Sequence, residues 1–220
     1  MKKKILIVDD HPLMRVGIKM LLSQNQSYEI IEASGGAEAM DCLNKTEINL
    51  AILDIDMPEI NGVEVGHYIE KNYPETKLIF LTSHADFNTF AEASEINYSG
   101  FLFKENALEL LLECVVKVFN NEKYTSPECA KLTNNNKERL ELLQHHRKRI
   151  ESLTQTERRI LLLISEGKST PRIAEELFNS PKTIENHRTN ICQKMELKGA
   201  NNLLSFALEY RDLLQKIIGS

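Results

Sequence analysis

Five polar side chains stand directly after short apolar runs in the first half of the chain. Asp9 and Asp10 follow residues 4–8, Asp54 follows 50–53, Thr82 follows 78–81, and Lys104 follows 101–103. If these runs are neighbouring parallel strands, all five residues emerge at one edge, where open α/β sheets hold their ligands. Three carboxylates, a hydroxyl and an ammonium suit a magnesium ion beside an aspartate that accepts a phosphoryl group. Catalysis of that transfer is mostly positioning and charge stabilisation. Asp54 would attack the donor, Lys104 would counter the transferred charge, and the Thr82 hydroxyl would bond a phosphoryl oxygen. Taken singly, each residue has an ordinary role: an Asp after a strand forms turns, a Thr there reflects strand propensity, and a Lys is solvated. Five in this order point to a switch rather than a metabolic active site.

The elements that must position them alternate. Strands are expected at 4–8, 28–32, 50–54, 77–82 and 100–103, and helices near 12–24, 36–45, 61–72, 87–95 and 107–120. Strands alternating with helices predict an α/β domain with a doubly wound, five-stranded parallel sheet. The run Leu50-Ala51-Ile52-Leu53 is apolar without alternation, as a strand covered on both faces should be.

The composition changes at Asn120. Residues 121–150 read as a linker: a tether around Tyr124, Ser126 and Pro127, then a charged stretch with Leu140, Leu143 and Ile150 at roughly helical spacing. A linker helix or a short coil between protomers fits that spacing, but a solvated spacer is the default. From 151 to 220 the chain is all helical. Thr154-Gln155-Thr156-Glu157 forms a capping box, and Gly167 suits a helix stop. Thr170-Pro171 and Ser180-Pro181 each put a capping hydroxyl before a proline at the first helical position. Two short helices, about 171–178 and 181–195, are thereby joined by a tight turn, and a further helix is expected at 200–213. Such a pair suggests a helix-turn-helix whose second helix enters the major groove. That helix carries Lys182, Arg188 and Lys194 against Glu185, with Asn186, Thr189 and Asn190 able to hydrogen-bond bases or phosphates.

Net charge supports this division without deciding it. Residues 1–122 carry 10 basic against 20 acidic side chains, 123–150 carry 7 against 3, and 151–220 carry 10 against 9. An acidic half suits metal and phosphate, and a less acidic one suits a polyanion. No apolar stretch approaches the roughly 20 residues that span a bilayer. Cys42, Cys114, Cys129 and Cys192 are scattered, as reduced thiols of a cytoplasmic protein would be. His11 lies beside the acidic pair, but magnesium disfavours imidazole, so it is expected as a surface histidine.

Ile5-Leu6-Ile7-Val8-Asp9-Asp10-His11, Leu53-Asp54-Ile55-Asp56-Met57-Pro58 with Asn61-Gly62, Leu81-Thr82, and Gly100-Phe101-Leu102-Phe103-Lys104 resemble the flavodoxin-like receiver domain of two-component response regulators. The resemblance covers about residues 3–120. It implies Asp54 as phosphoacceptor, with Asp9, Asp10, Asp54 and the Asp56 backbone carbonyl as Mg2+ ligands. It also implies Thr82 and Phe101 as switch residues and Lys104 as the phosphate lysine. Asn97-Tyr98 departs from the usual small pair before the last strand. The Asp56 side chain is a candidate influence on acyl-phosphate lifetime.

Leu153-Thr154-Gln155-Thr156-Glu157, Gly167-Lys168-Ser169, Ile173-Ala174-Glu175-Glu176-Leu177 and Ser180-Pro181-Lys182-Thr183-Ile184-Glu185-Asn186-His187-Arg188-Thr189-Asn190-Ile191 resemble a LuxR-type (NarL/FixJ-like) DNA-binding domain. That resemblance implies base contacts from Glu185, Asn186 and Thr189, further contacts from Lys182 and Arg188, and pairing through the last helix. Asn201-Asn202 stands where an Arg is common. The expected organisation is a receiver at 1–120, a linker at 121–150, and a helix-turn-helix domain at 151–220.

The expected function is transcriptional regulation in the bacterial cytoplasm. A sensor histidine kinase or small phosphodonor would phosphorylate Asp54, promoting a homodimer and binding to double-stranded DNA. A DNA-binding or partner-sequestering regulator independent of phosphorylation is the alternative. Asp54-x-Asp56 with Thr82 and Lys104 also resembles the order in haloacid-dehalogenase-type phosphatases. There, however, the acidic pair comes late, whereas Asp9-Asp10 come first, so an enzyme is not expected.

Overall fold

The structure, a computed structural model, describes residues 2–83, 87–197 and 200–219. The chain divides into two compact units, Met1–Lys137 and Glu138–Ser220.

In the first unit, β1 (Lys3–Val8), β2 (Tyr28–Ala33), β3 (Leu50–Asp54), β4 (Lys77–Thr82) and β5 (Gly100–Phe103) alternate with α1 (Pro12–Leu22), α2 (Gly36–Lys45), α3 (Gly62–Asn72), α4 (Phe87–Ala93) and α5 (Lys104–Phe119). A sixth strand, β6 (Tyr124–Thr125), joins them, so the parallel sheet runs β2-β1-β3-β4-β5-β6. Successive residues of β3 face opposite sides, and all five are buried. Leu50 and Ile52 join Ile5, Ile7, Ile79 and Leu81 beneath α1 and α5. On the other face Gly66 of α3 lies against Phe80, where a Cβ would come within 2.8 Å of the ring. Strand order reverses at β1, which has β2 on one side and β3 on the other. The crevice above such a reversal is where open α/β sheets bind ligands.

Two expectations for 121–150 give way here. The tether around Tyr124 is instead the sixth strand, replacing the five-stranded sheet expected. The Tyr124 amide donates to Ser99 O at 2.9 Å and the Ser126 amide to Phe101 O at 3.0 Å. Ser126 then caps α6 (Pro127–Asn135), accepting from the Cys129 amide at 3.3 Å. The charged stretch is no spacer: it forms α7 (Lys137–Ser152), and Ile150 and Leu143 pack into the core of the second unit. A helix so polar is held by the few apolar residues it buries.

The second unit continues with α8 (Gln155–Ser165), α9 (Thr170–Glu176), α10 (Pro181–Lys194), α11 (Ala200–Glu209) and α12 (Arg211–Gly219). The Thr154–Glu157 capping box is present, and Gly167 closes α8 with φ +77°. Thr170 does not cap: Ser169 holds the N-cap position of α9, and Thr170 is its first residue. The single helix expected at 200–213 is broken at Tyr210, although the Leu214 amide still donates to Tyr210 O at 2.9 Å. The side chain of Asn201 lies outside those described.

Candidate functional site

The sheet register sets the candidate site. Val8 pairs with Leu53, so the next residues, Asp9 and Asp54, reach the C-terminal edge side by side. Thr82 ends the neighbouring strand beside Phe103, and Lys104 opens α5. A close backbone approach holds the edge together: a Cβ on Gly62 would stand 2.1 Å from Asp54 O. The next helix starts there, capped by Asn61 and Glu64 in a reciprocal box.

At this edge the Lys104 ammonium bridges two buried carboxylates, 2.8 Å from Asp9 Oδ2 and 2.6 Å from Asp54 Oδ2. These are charge contacts without hydrogen-bond alignment. Burial pushes the Asp54 carboxyl up to about 6, with Asp9 adding to the rise and Lys104 opposing it. Burial alone would lower the Lys104 pKa, but Asp54 and Asp9 outweigh it and raise it. The Asp56 amide donates to Asp54 Oδ1 at 3.1 Å. Ligating atoms of Asp9, Asp10, His11 and Asp54 all lie within 4.8 Å of one another. A cleft of about 390 Å³ opens beside them, lined by His11, Leu13, Met14, Ser83, Lys104 and Glu105.

Phe101 is fully buried, edge-on to Phe90 at 5.2 Å and to Tyr98 at 5.5 Å. Tyr98 is buried in turn, with the Lys123 ammonium 3.7 Å from its ring centroid. The turn before β5 is closed by the Tyr98 amide on Ile96 O at 2.8 Å.

In the second unit Ser180 caps α10 through the Thr183 amide at 3.1 Å, and Ile184, Ile191 and Met195 anchor its inner face. Lys182, Glu185, Asn186 and Thr189 are exposed on the opposite face, and Arg188 is half-buried. Glu185 Oε1 accepts from the Thr170 hydroxyl at 2.6 Å, and Thr189 Oγ1 donates to Glu185 O at 3.0 Å. From α7, Arg149 donates to Met195 O at 2.9 Å, holding the end of α10. In the turn before α10, Phe178 has φ +52° and is 97% exposed.

An acidic crevice above a parallel sheet and a capped helix pair in one chain can be compared with known proteins. Residues 5–116 match the response regulator receiver domain, and residues 151–207 match bacterial regulatory proteins of the luxR family. This chain is a LuxR-type response regulator. The transcriptional regulatory protein DegU of Brevibacillus brevis is 31% identical over 209 residues, covering 89% of each chain. The response regulator protein VraR of Staphylococcus saprophyticus is 30% identical over 209 residues, covering 94% of this chain and 97% of its own. In fold, the chain resembles the response regulator RcsB in its DNA complex, with TM-score 0.57 and 23% identity over 94% of this chain and 98% of that one. RcsB from Salmonella enterica serovar Typhimurium bound to promoter P1flhDC gives a TM-score of 0.59 at 22% identity, with the same coverage. The family is one of transcriptional regulators, which sets aside the phosphatase reading.

Sequence reasoning about this response regulator missed two contacts at the crevice. His11 is exposed, as expected of a surface histidine, yet places Nδ1 2.7 Å from Asp10 Oδ1 and 3.3 Å from Asp9 Oδ1. The Asp56 side chain reaches across to the end of β4. His11 is adjacent to the acidic pair in sequence, which was the available signal.

Proposed function

We propose that Asp54 accepts a phosphoryl group and that its charge controls DNA binding by residues 151–220. The observation that carries this is the Lys104 ammonium between Asp9 and Asp54, a cation placed where transferred charge would arrive. In this reading residues 1–120 are the receiver, with β6 and α6 completing its sheet, and residues 151–220, with α7 packed into their core, read DNA.

Three clustered carboxylates fit a magnesium ion, and one buried oxygen of each, Asp9 Oδ2, Asp10 Oδ1 and Asp54 Oδ2, takes no aligned hydrogen bond. Asp9, Asp10 and Asp54 would hold it through carboxylates and Asp56 through its backbone carbonyl, an oxygen set magnesium favours. Bound there, it supplies positive charge that offsets repulsion between the carboxylate and an anionic donor. A carboxylate oxygen of Asp54 forms the bond to phosphorus as the bond to the leaving group breaks. The leaving group, a histidine nitrogen of a sensor kinase or the acetate of a small phosphodonor, keeps the electron pair. Lys104 follows the charge onto the phosphoryl oxygens, and Thr82 donates its hydroxyl to one of them. Phe101 then repacks, shifting a two-state equilibrium rather than creating a new fold.

Lys182, Glu185, Asn186, Arg188 and Thr189 would face the major groove, with Glu185 first leaving Thr170. Activated copies pair as homodimers on a two-fold-symmetric site, in the cytoplasm where that DNA lies. Among the described residues no helix is long and apolar enough to cross a membrane. The test is selection from random duplex DNA with and without acetyl phosphate and magnesium, comparing wild type with Asp54→Ala. Donor-dependent enrichment of a symmetric site, lost in the variant, is expected. Equal enrichment in every condition would favour a regulator independent of phosphorylation.

A further inference from the structure

One carboxylate at the crevice has no part in phosphoryl transfer as described: the side chain of Asp56. Its Oδ2 accepts from the Thr82 hydroxyl at 3.4 Å and from the Ser83 amide at 3.3 Å. Thr82 ends β4 one residue beyond Leu81, which pairs with Asp54. Both donors therefore stand at the strand end next to the acceptor carboxylate. An ionised carboxylate and a phosphoryl group present the same chemistry to them, anionic oxygens that accept more than one bond.

We propose that Asp56 is a positioning residue whose carboxylate holds the Thr82 hydroxyl and Ser83 amide in place of the phosphoryl group, so that phosphorylation must displace it. The proposal rests on Asp54 being the acceptor. The resting conformation satisfies the Thr82 hydroxyl internally, and the phosphorylated state must break those bonds before it gains its own. Asp56 thereby sets how far phosphorylation shifts the equilibrium, because a ligand moves two states only by its difference in affinity between them. Repulsion between the Asp56 charge and a phosphoryl dianion acts in the same direction, so the test must separate the two.

The probe is beryllium fluoride with magnesium, titrated calorimetrically into the full chain. Asp56→Ala is expected to tighten apparent binding by about five- to tenfold, less than a short charge-assisted hydrogen bond supplies, because these bonds are long and the carboxylate is exposed. Asp56→Asn keeps an accepting oxygen without the charge and should give a smaller gain. In a Thr82→Ala background the Asp56→Ala gain should shrink to about twofold, because the shared partner is gone. Unchanged affinity in both Asp56 variants, or the full gain persisting without Thr82, overturns the proposal; the second result would leave charge repulsion alone. Thermal midpoints of the unliganded variants report folding separately. If wild type itself binds no beryllium fluoride, the acceptor assignment fails first and the proposal falls with it.

Discussion

Replacing Asp54 with Asn removes a charge that the metal-free protein holds at a cost. Asp54 is fully buried, and its carboxyl is pushed from 3.8 up to about 6 by burial, with Asp9 adding to the effect. At about 1.36 kcal/mol per unit, a shift of about two units makes the ionised residue roughly 3 kcal/mol less favourable in the folded state. The sign follows from proton linkage. Because the folded pKa lies above the unfolded one, the stability is fully present below about pH 4, declines as pH rises towards 6, and is flat beyond. The Asp54→Asn variant, with no carboxyl to ionise there, has no such loss. Scanning calorimetry of the full chain should therefore show Asp54→Asn raising the first unit's midpoint by roughly 6–12 °C at pH 7 without magnesium. The difference should close by pH 4. Adding magnesium should stabilise wild type more than the variant and narrow the gap. A pH-independent difference, or a variant less stable at pH 7, would refute the reasoning.

Three further outcomes follow from the same geometry. Lys104→Ala leaves Asp9 and Asp54 facing each other without their shared cation, at a cost of about 3 kcal/mol or more at pH 7; chemical denaturation should show this loss lessening towards pH 5. In Gly62→Ala the new Cβ meets Asp54 O at 2.1 Å, so the β3 end must move. A stability loss on the order of 3 kcal/mol is expected, together with slower labelling by acetyl phosphate, measured on phosphate-affinity gels. Ser180→Ala removes the cap on the Thr183 amide and should cost about 1 kcal/mol in the second unit. Ser180→Asp, a competent cap, should restore the thermal midpoint.

Strands β1, β3, β4 and β5 were legible because parallel strands covered on both faces read as unbroken apolar runs, whereas the edge strand β2, half-buried with Glu29 exposed, shows only Ile30-Ile31 between polar residues. Residues 50–54 and 77–82 match β3 and β4 to the residue. Asp9, Asp54 and Lys104 were legible for a related reason: each follows a strand of the same sense, so position in sequence fixes the sheet edge. Tyr124-Thr125 has no apolar run, because two residues pairing with an existing edge need none. Ser126-Pro127 nevertheless repeats the signature read correctly at Ser180-Pro181. α7 was hidden by its own polarity, since its helicity depends on tertiary partners of Leu143 and Ile150. The Asp56–Thr82 bond spans 26 residues and depends on loop geometry, which periodicity does not encode.

The short strand Tyr124–Thr125 also changes what can be cut from this protein. The backbone groups of Ser99 and Phe101 that accept its amides would otherwise form a bare rim. An open rim of that kind is a template for another chain and a route to aggregation. A fragment ending at residue 120, where the receiver resemblance stops, would expose that rim. Cutting after Asn135 keeps β6 and α6 with the sheet, so this later boundary is the sounder one for an isolated receiver.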